Sequence, residues 1–142
     1  MRRADPGLRR CEHGAALIEF AILAPVFLLM VMGMIAYALY FGAAHSVQQL
    51  AADAVRVTIS GLSAEERQHL ASAYIARNAG AYLLLDPDRL TVEIADRVQD
   101  PDQVLVSLSY DASTLPIWNL YPPLPLPSST IVQRATIRIG GR

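Results

Sequence analysis

The chain has 142 residues and a single cysteine, Cys11, so it contains no intramolecular disulfide and no thiolate metal cluster. Its three histidines, His13, His45 and His69, are scattered. No HExxH, GxSxG, P-loop or dinucleotide fingerprint occurs, which leaves no sequence case for an enzyme and implies no cofactor. The EF-hand pattern is also missing. Asp86/Asp88 and Asp100/Asp102 flank prolines and read as solvated turns rather than a metal site. A net charge of only -1 gives no field for nucleic-acid binding. No internal repeat is present.

The most telling absence is local. From Phe20 to Ala44 the chain carries no formal charge. The apolar run, from Ala15 to Ala44, exceeds the ~20 helical residues a bilayer core requires. Before it lies a short leader, residues 1–14, polar and containing Pro6 and Gly7, which reads as disordered. Its four arginines outweigh Asp5 and Glu12, while residues 15–142 are net acidic. Basic residues just ahead of an apolar span predict a cytoplasmic N-terminus and an exported C-terminal domain. Cys11 follows Leu8-Arg9-Arg10 rather than an apolar run with small residues, so it does not read as a lipidation site.

The span holds Pro25, which removes a backbone donor and predicts a helix kink. Tyr37 and Tyr40 stand toward its far end, where aromatic side chains favour the membrane interface. Ala38-x-x-x-Gly42 has the spacing of a helix-packing motif, which an alanine-rich span also produces by chance. Beyond Ala44, the 3–4 residue spacing of Val47, Leu50, Ala54 and Val57 continues the helix in amphipathic form. A helix from about Leu17 to Ser60 is ~65 Å long at 1.5 Å per residue. Gly61 stops it.

Ser63-Ala64-Glu65-Glu66 is a capping box. It opens a second helix with Leu70, Ala73, Tyr74 and Arg77 along one side, ending near Gly80. Asp86-Pro87-Asp88 is a turn. Leu90, Val92 and Ile94 alternate with polar or small residues as a half-buried strand. A turn at Asp100-Pro101-Asp102 leads to a second, antiparallel strand with Val104, Val106, Leu108 and Tyr110 on one face. A proline-rich loop, Leu115 to Pro127, precedes a last strand from about Thr130 to Ile139. In that loop Trp118 and Tyr121 are candidates for a partner contact, although folding back onto the sheet is the favoured reading. The expected class is α+β: a transmembrane helix continuing into an exported stalk, one packing helix and a small three-stranded antiparallel sheet. The expected division is a leader at 1–14, a membrane helix at 15–44 and an exported domain at 45–142.

One acid stands at the mouth of the span. Glu19 follows Gly14 by five residues, and an acidic side chain in the membrane costs roughly 3 kcal/mol at mid-helix and less near an end. Cleavage after Gly14 places a cationic α-amine on Ala15. That amine, from a neighbouring subunit, is a partner for Glu19, and such a pair fixes axial register.

The arrangement resembles the class III processing signal of type IV pilins and pseudopilins. Its form, Gly14-Ala15-Ala16-Leu17-Ile18-Glu19-Phe20, together with the continuation to Ala24-Pro25-Val26-Phe27, is similar to the opening of TadE-like proteins of the tight-adherence (Flp) pilus. The proline-rich loop before a last strand ending in Arg138 is also similar to that family, although only the N-terminal motif is specific. The resemblance implies a non-enzymatic inner-membrane minor pilin or pseudopilin with a pilin-like domain. Implied partners are a prepilin peptidase, other pilins, the inner-membrane platform and membrane lipid, with no small-molecule substrate. Glu12, an acid near the cut, departs from the family pattern. The rival readings are a secretory signal peptide cut after Ala44, which the length of the apolar run opposes, and an unprocessed single-pass anchor whose exported domain binds partners in another complex.

Overall fold

The computed structural model describes residues 11–96, 103–119 and 127–138. It is α+β, with one long helix, a second helix and a three-stranded antiparallel sheet. Helix α1 runs unbroken from Cys11 to Val57, 47 residues, or about 70 Å. Its start differs from expectation: the helix reaches back to Cys11, so the last residues of the segment read as a disordered leader are helical. Gly14 is the weakest helix former from there to Ala24. Alanine and leucine around it propagate the turn backwards from the apolar run.

A 3-10 turn, Thr58–Ser60, ends the rod, and Gly61 turns the chain. Thr58 is fully buried and its hydroxyl donates to the Val55 carbonyl at 2.7 Å, so the polar atom in the core is satisfied. Gly61 is required by close approach. A Cβ there would lie 2.6 Å from Cγ of Arg67.

Helix α2, Ala64–Asn78, is capped by Ser63, whose hydroxyl accepts from the Glu66 amide at 3.1 Å. The Glu66 carboxylate reaches back to the Leu62 amide at 2.8 Å, one residue earlier than in the standard box. The buried stripe of α2 is Ala71 and Ile75, continued by Ala79. This corrects the expected face: Arg77 is exposed and Ala73 only half-buried. The small Ala71 and Ala79 let α2 approach α1 closely, and Ile75 fills the space between them.

Strands β1 (Leu90–Asp96), β2 (Gln103–Asp111) and β3 (Thr130–Arg138) form a meander with β2 at the centre. The register opposes Val92 to Leu108 and Ile94 to Val106 on one side, and Ile137 to Val104 and Ile131 to Tyr110 on the other. One face therefore carries the apolar alternates of all three strands. It packs on α1, with α2 bearing on β1. The turn at residues 100–102 and the loop residues 120–126, including Tyr121, lie outside the described residues.

Tyr110 is 2% exposed, yet its hydroxyl is used twice, donating to the Leu84 carbonyl and accepting from the Asp86 amide, both at 3.3 Å. It ties the α2–β1 connector to the central strand. At the same end Asp111 caps a 3-10 turn, Ala112–Thr114. The Ser113 amide, then its hydroxyl, hold the Asp111 carboxyl below its ordinary 3.8, and Arg89 adds to the effect from 3.2 Å. A depressed carboxyl contributes stability above its unfolded pKa and loses it as pH falls through its folded value. Asp111→Asn is therefore expected to lower the thermal midpoint at neutral pH. Its deficit against the parent protein should shrink on acidification below about pH 4, in a series of melts across pH.

Candidate assembly site

The core of the head begins at Ala36, 1% exposed, and runs up α1 through Ala43, Val47, Leu50, Ala51, Ala54 and Val55. Below Val31 every side chain of α1 from Ala16 onward is exposed except the half-buried Ala24. Twelve large apolar side chains between Leu17 and Ile35 are exposed, Leu17 at 70% and Ile35 at 44%. Full burial of such a side chain stabilises by roughly 1.5–3 kcal/mol, so covering this surface is worth on the order of 10–20 kcal/mol. Water is the wrong solvent for it. Residues 16–35 as helix are about 30 Å long, the thickness of a bilayer's hydrocarbon core.

Glu19 is exposed near the foot of this segment, and among the described residues it makes no hydrogen bond or ion pair. Its helical neighbours are Ala15, Ala16, Ile22 and Leu23, three and four positions away, so no cation stands within a turn on its own helix. Among the described residues nothing neutralises this carboxylate. Gly14 lies five positions before it, about 7.5 Å along the axis, and is exposed with nothing within 4 Å of where a Cβ would sit. Glycine in a helix is worth roughly 1 kcal/mol less than alanine, so the helix is locally weakened at the expected cut. Pro25 sits inside the unbroken helix, exposed.

Trp118 lies in a 3-10 turn, Pro116–Asn119, half-buried against the core. Its Nε1 donates to the Ala112 carbonyl at 2.6 Å. The indole is folded back, as favoured from the sequence. Gly42 is in close contact too, though with the connector of its own chain: a Cβ there would meet Leu84 Cδ1 at 2.8 Å. From the sequence, Ala81 to Leu85 either extends α2 or forms a connector; the structure makes it a connector, with α2 ending at Asn78 and a turn closed between Tyr82 and Leu85. Above Gly42, a cleft of about 390 Å³ opens between α1 and the start of β3, with Tyr40, Phe41, His45 and Gln48 on one wall and Thr130 to Gln133 on the other. Among the described residues no group of His, Cys, Asp and Glu is placed to hold a metal ion.

One N-terminal apolar helix bearing an α+β head is an arrangement compatible with a membrane-anchored protein. Residues 14–56 match the family model described as TadE-like protein. The chain thus carries a TadE-like segment, which associates it with the Tad pilus and its components. The matched residues are the bare part of α1 and nearly all of its packed part, and they open on Gly14 itself. No curated protein and no solved structure matches the chain.

Proposed function

We propose that the protein is a non-enzymatic minor pilin or pseudopilin of a tight-adherence pilus. It is anchored in the bacterial inner membrane by α1 with its head exported, cut after Gly14 by a prepilin peptidase, and assembled through Glu19. The observation that carries this reading is Glu19, exposed and without an ion pair among the described residues, on the apolar, uncovered part of α1, whose TadE-like match opens at Gly14. Removal of residues 1–14 supplies a cation, the α-amine of Ala15, at a position where the parent chain has none. A neighbour's amine then neutralises Glu19 at the membrane edge, and the pairing sets the axial register of adjacent rods. Flanking apolar side chains such as Phe20, Leu23 and Phe27 meet lipid before assembly and other helices after it.

The mature N-terminus tests this. Intact-mass measurement on membrane-purified protein, co-expressed with the matching prepilin peptidase, is expected to show a chain beginning at Ala15. Gly14→Leu, which puts a bulky side chain at the scissile position, is expected to retain the leader. A full-length parent protein under those conditions sinks the pilin-type reading in favour of an unprocessed single-pass anchor.

A further inference from the structure

Leu83 is 100% exposed, directly ahead of a Leu84 packed into the head and a buried Leu85. It is not a loose residue. The Tyr82 carbonyl accepts from the Leu85 amide at 3.1 Å, closing a turn around it, and the buried Tyr110 hydroxyl grips the Leu84 carbonyl and the Asp86 amide. The turn is also fixed in height, because Leu84 lies against Gly42 of α1.

That height is meaningful once α1 is read as membrane-spanning, the reading on which this inference rests. With Glu19 at one edge, a hydrocarbon core of about 30 Å takes roughly 20 residues and ends near Leu39. Gly42 is then about 5 Å beyond it, in the interfacial zone where apolar groups of surface-lying segments bury themselves. Tyr37 and Tyr40 stand just below Gly42, on either side of the edge at Leu39.

We infer that the Tyr82–Leu85 turn is a second membrane contact, with Leu83 inserted at the boundary between headgroups and acyl chains of the outer leaflet. Through Leu84 the turn adjoins α1 at Gly42, next to the exposed Phe41. Charge around it favours neutral lipid. Asp86, Asp88 and Asp111 outnumber Arg89, which is ion-paired to Asp86 at 3.5 Å and to Asp111 at 3.2 Å. The contact is apolar rather than electrostatic, and it sets how the head leans on the bilayer around the single anchor.

The test uses the full chain carrying Cys11→Ser, reconstituted in phosphatidylcholine vesicles. A nitroxide is attached at Leu83→Cys, Leu62→Cys or Phe27→Cys. Leu62 is a control for exposure, being 94% exposed at the far end of the head. Phe27 is a control for the span. Relative accessibility to oxygen over a water-soluble nickel chelate reports depth. The ratio at position 83 is expected to be several-fold higher than at 62 and below that at 27, with no gain when anionic lipid is added. A ratio at 83 equal to that at 62, with 27 deep, overturns the inference and leaves the span intact. Low accessibility to both reagents at 83, with spin–spin broadening relieved by unlabelled protein, identifies a second copy as the occupant and also overturns it. A water-like ratio at 27 removes the span reading and this inference with it.

Discussion

Glu19→Ala is expected to insert in the membrane and lose its leader normally, while pilus assembly falls by at least ~10-fold, the effect of losing about 1.4 kcal/mol or more of pairing free energy. The sign follows from what surrounds the carboxylate. Its neighbours three and four positions away are Ala15, Ala16, Ile22 and Leu23, and it makes no ion pair among the described residues. Removing it therefore breaks no contact among the described residues, and alanine is the better helix former. Insertion into lipid becomes easier. What disappears is the only acid between Gly14 and Ala44, the group proposed to meet a cationic N-terminus of another subunit at the membrane edge. Counting surface pili by electron microscopy, alongside membrane fractionation and intact mass, separates these steps. Full piliation by the alanine variant would sink the charge-pair account. Glu19→Gln is a sharper version, because it keeps size and hydrogen bonding and removes the charge alone.

The second large effect concerns the head. Leu50 is fully buried on the stretch of α1 that supports both α2 and the sheet. Leu50→Ala is expected to destabilise the head by 2–5 kcal/mol, the usual range for a large core side chain cut back to alanine. Against a total stability of roughly 5–15 kcal/mol this is a large share. The lower half of α1 has no part in that core, so the anchor should persist. Limited proteolysis of reconstituted protein is expected to degrade the head of the variant readily, leaving a membrane-protected fragment that contains residues 16–35. Protease resistance equal to the parent would show that Leu50 is not the keystone its burial implies.

The strands were legible in the sequence because their alternation has contrast. Val104, Val106, Leu108 and Tyr110 are buried, with Leu105, Ser107 and Ser109 only half so, and the register follows from this pattern. The face of α2 was harder to read. Alanine recurs at 71, 73, 76 and 79, and alanine suits either side of a helix, so the stripe was placed about one residue off. The lower limit of the head on α1 was not legible at all. Between Phe20 and Ala44 every position is uncharged and most are apolar, so no periodicity distinguishes a side chain facing lipid from one facing protein. Only the packing of Ala36 and Ala43 reveals it. The acid at Glu19 was legible for the opposite reason, as a single departure from a uniform background. Leu83 went unread because an exposed leucine and a core leucine look the same in sequence.

Helix α1 passes from the bare segment into the head without a break at Ala36, and small side chains, Ala36, Ala43, Ala51 and Ala54, seat the head directly against its backbone. No linker separates the two. Mechanically this is a strut welded to its load. An axial displacement or rotation of α1 just below Ala36 reaches the sheet and α2 through continuous helix rather than across a hinge loop.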